Sequence, residues 1–369
     1  MFDVRPTRSL VSCTLGIAVL AVAWAAIPAY AEGQADVAGA KAVVESYTGH
    51  PSPFPITEPL LKRPTGKKIA ILDCGSPICG IFADIAEGPA KMLGMIPTRI
   101  KSGTTAQGVA SAFDTVLDGH FDGVFVPAVA PSLWDRYLDK LNARHIAVVA
   151  SGVIGLDPAK VPVALAAEPS AKRTGVVMAD WAVAHDGAKL DTVLYNTPEL
   201  SFSNVIAKDF VAEVKARCPS CKVRVVDIPV ATFGNRAPSL VVDDLEAHPK
   251  TTSALFVVGE QAIGLAPALK VAEIKLPIFL DAPDPSTLAE IRDGVYEAGL
   301  GSDLALISWM AIDSLARLTT GQAPSEGARK DDLVLQILGP KDIKGDVSRG
   351  WSGYPDFPQR FKALWANAK

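Results

Sequence analysis

From Gly66-Lys67-Lys68 onward the chain alternates between short apolar runs and longer amphipathic stretches. Residues 69–72 read as a buried strand and 97–101, 123–126 and 147–150 as further strands, and 82–93, 106–117 and 132–143 between them as helices with one apolar face. Unbroken apolar runs, as opposed to strict alternation, mark strands covered on both sides, as in a parallel sheet with helices above and below. The rhythm then repeats, with helices expected over 172–185, 204–217 and 260–271 and strands over 192–195, 223–226, 254–258 and 277–280. Both halves open alike: Ile69-Ala70-Ile71-Leu72-Asp73-Cys74-Gly75-Ser76-Pro77 and Val193-Leu194-Tyr195-Asn196-Thr197-Pro198-Glu199 each join a strand to a helix through a polar loop containing proline. The expected fold class is therefore α/β, with two Rossmann-like lobes in succession. Ligands of such open sheets lie beyond the carboxyl ends of the strands, so two facing lobes make a cleft lined by those loops.

Ahead of the first strand, residues 32–66 hold one short helical pattern, 37–47, followed by Pro51-Ser52-Pro53-Phe54-Pro55 and Pro59, the composition of an extended arm on the surface. At the other end Trp351, Tyr354, Phe357, Phe361 and Trp365 form an aromatic segment, expected to pack the tail onto the second lobe. Arg5 and Arg8 precede an apolar stretch over 10–27 that ends in Pro28 and Ala29-Tyr30-Ala31. That is the form of a secretory signal cleaved after Ala31. The stretch is also about as long as the roughly 18 residues of a membrane span, but the small residues at the cleavage positions favour removal. Lipidation at Cys13 is not expected, because the apolar core follows that cysteine instead of preceding it. The mature chain would be periplasmic.

Removing Cys13 leaves Cys74 and Cys79 as one local pair and Cys218 and Cys221 as another, which in an oxidising compartment reads as two short disulfides. A redox-active CxxC would place its first cysteine at a helix N-terminus, whereas Cys218 follows a helical pattern and precedes a strand. No metal site is expected, since the histidines show no ligand spacing. A formal charge of −4 with scattered Lys and Arg argues against nucleic acid as a partner. Nucleotide-linked and hydrolytic enzymes are disfavoured by the lack of G-x-G-x-x-G after a strand, G-x-x-x-x-G-K-[ST], G-x-S-x-G and H-E-x-x-H.

The order and spacing of elements over 67–338 resemble the type I periplasmic solute-binding proteins of the ribose/galactose-binding family, the extracytoplasmic receptors of ABC importers. The first strand with its Ser-Pro loop, Phe256-Val257-Val258-Gly259-Glu260-Gln261-Ala262, Phe279-Leu280-Asp281 and the helix containing Ala311-Ile312-Asp313-Ser314-Leu315-Ala316-Arg317 carry the likeness. The resemblance implies three hinge strands, near Ala167, near Gly299 and near 331–334. Lobe one would then be 67–166 plus 300–330, and lobe two 167–298 plus 333–369. It further implies closure around a small molecule, a membrane permease as partner, a monomer, no cofactor and no catalysis.

Carried over loop by loop, the family's ligand positions fall on Ser76, Ile78, Cys79 and Phe82, on Pro127 or Ala128, and on Gly152 and Val153 in the first lobe. In the second they fall on Glu199, Asn204, Phe233, Gly259, Glu260 and Asp281, with Gly299 at the hinge. Sugar binders of the family put stacking aromatics where this chain has Ile78 and Cys79, and an Asp-Arg pair where it has Gly152-Val153. Each buried hydroxyl left unpaired costs about 1–3 kcal/mol, so a cleft with few polar partners suits a ligand less hydroxylated than ribose or glucose, held by Phe82, Phe233 and Trp134. A slip of one residue in the loops would place Ser151 for Gly152 or Glu260 for Gly259, and an ordinary monosaccharide bound through other residues is the alternative. A sensor feeding a membrane receptor is another.

Overall fold

In a computed structural model the apolar runs become strands of two sheets; the structure describes residues 1–2, 35–49, 51, 53–75, 77–331, 333–348 and 350–369, with Pro77 and Ile78 by backbone alone. Apart from Met1 and Phe2 the expected export signal lies outside the described residues, as does the candidate ligand residue Ser76. Strands β1 (Lys68–Asp73), β2 (Ile96–Lys101), β3 (Gly123–Pro127), β4 (Ala147–Ser151) and β5 (Val163–Leu165) form an all-parallel sheet in the order β2-β1-β3-β4-β5. Strands β6 (Asp191–Asn196), β7 (Lys222–Asp227), β8 (Ser253–Phe256), β9 (Ile278–Asp281), β10 (Ala298–Ser302) and β11 (Leu335–Leu338) form the second, β11-β10-β9-β8-β6-β7, in which only β10 and β11 run antiparallel. Counted from its own first strand, each sheet runs 2-1-3-4-5, the second adding β11 beyond its fifth, so the repeated sequence rhythm is a repeated doubly wound topology. Among the described residues no helix is long and apolar enough to cross a membrane.

Two expected helices are broken. Over 132–143 the chain forms the short turns Pro131–Leu133 and Asp135–Tyr137 before the helix Leu138–Ala143. Trp134 sits between them, fully buried, stacked on Phe113 at 5.4 Å and donating from Nε1 to the Val129 carbonyl at 3.0 Å. Burying that ring outweighs helical continuity. Over 260–271, Gly264 takes a left-handed conformation between the turn Gly259–Ala262 and the helix Leu265–Val271. The cysteines form the pairs expected, Cys74–Cys79 and Cys218–Cys221, the second closing the turn between the helix Ser201–Arg217 and β7.

The chain passes between the sheets at 166–168, 302–304 and 331–335, and twice more through its ends. The helix Val37–Ser46 packs on the second lobe, with Ala40 in its core and Asp36 paired to Arg217 at 2.7 Å, whereas Ile56 and Leu60 lie in the core of the first. The tail does the reverse. Ile343 belongs to the second lobe, but Tyr354, Phe357, Phe361 and Trp365 enter the core of the first, which corrects the expectation that the aromatic tail packs onto lobe two. The reason is the helix Leu304–Thr319, whose Trp309 offers a face that Trp365 stacks on at 5.4 Å, and whose Asp313 accepts from the Trp365 indole at 2.8 Å.

Arm and tail are also bonded to each other. Leu60 N donates to Leu364 O at 3.0 Å, Arg63 N to Lys369 O at 2.8 Å and Lys369 N to Leu61 O at 3.2 Å, while Phe54 meets Tyr354 edge-on at 5.2 Å. Buried aspartates fasten the crossings together. Asp331 accepts from Ala167 N at 3.0 Å and Ser170 N at 3.1 Å, and Asp303 accepts from Leu306 N at 2.9 Å and Gly353 N at 3.1 Å. At Gly327 the arm comes so close that a Cβ would stand 2.0 Å from the Pro55 carbonyl oxygen. Gly327→Ala is therefore expected to destabilise by about 1–3 kcal/mol and to expose the arm to protease; an unchanged melting point with an uncut arm would contradict this packing.

Candidate functional site

At the carboxyl ends of the strands the two lobes enclose a cavity of about 90 Å³. Phe82, Ala128, Ser151 and Gly152 reach it from the first lobe, and Leu200, Phe202, Ile206, Val258, Glu260, Asp281 and Ala282 from the second, with Ala166, Ser302, Leu304, Leu333 and Leu335 closing it at the crossings. Its walls are mostly aliphatic and aromatic. Ala128, Gly152, Ala166 and Ala282 follow β3, β4, β5 and β9, and all have positive φ, between 45° and 66°. Three of them first extend the ladder: Ala128 N donates to Ser151 O at 2.7 Å, Gly152 N to Leu165 O at 2.8 Å and Ala282 N to Leu300 O at 3.0 Å. The chain pairs one residue beyond its strand and then turns sharply along the cavity. Left-handed alanines cost about 1–2 kcal/mol each, and such strain gathers at functional sites.

Two polar atoms on these walls stand out, one from each lobe. Ser151 Oγ, at the end of β4, and Asp281 Oδ1, at the end of β9, are buried without a hydrogen-bond partner. Buried polar groups are nearly always paired, so a pair of orphans on one cavity is the signature of a missing ligand or water. Loss of solvent pushes the Asp281 carboxyl up to about 8, which leaves it largely protonated at neutral pH, able both to donate and to accept. The lobes touch beside the cavity: Ile154 N donates to Ser201 Oγ at 3.2 Å, and the Phe202 ring lies against Gly152.

Of the residues expected from the sequence, Phe82, Ala128, Gly152, Glu260 and Asp281 line this cavity, and Cys79, Glu199, Asn204 and Phe233 do not. Cys79 is buried with Cys74 in the first-lobe core, its chain turned inward by the disulfide. Glu199 is exposed, and Asn204 donates to the Pro198 carbonyl at 3.1 Å, bracing the loop it was expected to project from. Phe233 packs at the edge of the second-lobe core, and Trp134 is enclosed in the first. The Ile78 side chain lies outside the described residues. Sequence reasoning did not select Phe202, Leu304 or Leu333, because apolar residues at a helix start or in a crossing look like any core position. Ser151, the first polar residue after the apolar run 147–150, was reached only through the one-residue slip from Gly152.

Two doubly wound parallel sheets, joined by several crossings and enclosing a cavity at their strand ends, are the fold of the type I periplasmic binding proteins, and this chain has that fold. No protein-family model matches the sequence, and no curated protein does. Among solved structures, the substrate-binding protein of a sugar ABC transport system from Bordetella parapertussis superposes with a TM-score of 0.67 at 16% identity, covering 80% of this chain and 98% of that one. The Caulobacter myo-inositol binding protein bound to myo-inositol gives 0.65 at 18% identity over 77% and 96%. The 5-methylthioribose transporter solute binding protein from Thermotoga lettingae gives 0.66 at 14% over 80% and 98%.

Proposed function

We propose that this chain is an extracytoplasmic solute-binding protein. It holds a small neutral molecule, less hydroxylated than a simple sugar, in the interlobe cavity and presents the closed form to an ABC permease. The observation that carries this reading is the pair of unpartnered polar atoms, Ser151 Oγ and Asp281 Oδ1, on residues that line one largely apolar cavity from opposite lobes. A multiply hydroxylated sugar would leave several groups unpaired against Phe82, Phe202, Ile206 and Leu304. The ligands named for the similar structures favour the second reading, an ordinary monosaccharide or polyol.

A thermal-shift panel separates the two. A ligand at about 100 times its Kd adds roughly 2.7 kcal/mol, and each kcal/mol raises Tm by about 2–4 °C in a chain of this size. Upward shifts with small apolar alcohols and none with D-arabinose or myo-inositol are the expected result. Shifts with the sugars alone would establish the second reading, and no shift anywhere would remove the cavity as a ligand site.

A further inference from the structure

Beside the inner cavity lies a larger chamber of about 670 Å³. The two share Val258, Glu260, Ala282, Ser302 and Leu304, so they meet along one wall. The outer chamber is walled by Ile81 and Ile85 of the first lobe, by Pro283 and Pro285 of the second, and by the tail, through Trp351, Pro355, Phe357 and Pro358. Trp351 is held by close approach: a Cβ on Gly301 would stand 2.7 Å from its ring, so glycine in β10 is what lets the indole lie against the strand. At about 90 Å³ the inner cavity is smaller than the roughly 150 Å³ apolar void that takes up benzene. It holds a head of a few heavy atoms. Anything larger must extend through the shared wall.

Building on the reading of the cavity as a ligand site, we propose that the ligand is a two-part molecule, a hydroxyl-bearing head between Ser151 and Asp281 and a ring packed in the tail-built outer chamber against Trp351 and Phe357. A hydroxyl both donates and accepts, which matches Ser151 and a protonated Asp281. The ring gains apolar burial and aromatic packing from the aromatic and proline side chains of a wall that also carries Asp84, Asp284, Ser348 and Ser352. The C-terminal segment thus sets specificity as well as completing the first lobe.

The test uses one matched pair, 3-phenylpropane-1,2-diol and propane-1,2-diol, titrated calorimetrically into the full-length protein. Wild type is expected to bind the phenyl compound at least roughly tenfold more tightly. Trp351→Ala should remove most of that advantage and leave the short diol unchanged, whereas Ser151→Ala should weaken both. Because Trp351→Ala could loosen the tail, hydroxyl-radical footprinting of wild type supplies a second measurement, in which the phenyl compound should protect residue 351. If sugars or the short diol bind as well as the phenyl compound and residue 351 is unprotected, the two-part ligand is wrong while the binding site stands. If neither diol nor any panel compound binds, both readings fall.

Discussion

Asp281→Asn is expected to make the unliganded protein more stable, by an amount that grows with pH. The carboxyl is pushed up to about 8 in the folded chain from 3.8 by loss of solvent, which outweighs the opposing hydrogen bond from the Ala282 backbone, so between those values the folded state holds a proton that the unfolded state has released. Stability from this group is complete below about pH 4, falls by about 1.4 kcal/mol for each pH unit above it, and levels off once the folded carboxyl has ionised. Asparagine does not titrate. The gap between variant and wild type should open from near zero at pH 4 to about 4 kcal/mol at pH 7 and widen little above pH 8. Urea unfolding of both proteins at four pH values measures it directly. A gap that stays the same at every pH would mean that Asp281 ionises as an ordinary carboxylate. The same substitution should weaken ligand binding, the usual exchange of stability for a working site.

The second large effect lies away from the cavity. Asp313 and Arg317 are buried in the helix Leu304–Thr319 and paired at 2.7 Å. Arg317 also donates to the Pro59 and Glu58 carbonyls of the arm, while Asp313 accepts from Trp365 of the tail. Asp313→Ala leaves a buried guanidinium without its counter-charge, and breaking such a pair on one side costs about 3–5 kcal/mol. Both chain ends are expected to become protease-sensitive together. Asp313→Asn, which keeps an acceptor for Trp365, should lose less, and the double variant Asp313→Ala with Arg317→Leu should recover part of the loss. A single variant within about 1 kcal/mol of wild type would show that the pair carries no such weight.

The sequence was most legible where one residue pattern had one structural meaning. The runs at 69–72, 123–126 and 192–195 could only be covered strands, and each is one. Strand β5 has three residues and β10 reads Ala-Gly-Leu-Gly-Ser, so neither stood out by its own pattern, and both were expected only through the resemblance, as hinge strands near Ala167 and near Gly299. The broken helix at Trp134 followed the same logic in reverse: local periodicity asked for continuity, and one ring in the core decided otherwise. Asp281 and Gly152 were legible because a strand end fixes where its next residue lies. Phe233 and Glu199 were not, since the loops that carry them are set by contacts far away in sequence. The tail was visible as an aromatic amphipathic stretch, yet which lobe it covers depends on Trp309, a residue whose exposed face no local pattern reveals.

The pairing of arm and tail has a consequence for the order in which the molecule assembles. Residues 54–63 take several of their partners from residues 354–369, far later in the chain. Until residues 354–369 have been made, the apolar face over Trp309 stays uncovered. Contacts this distant in sequence close late and slowly. A chain growing from its N-terminus therefore carries an unfinished first lobe until that segment has been made.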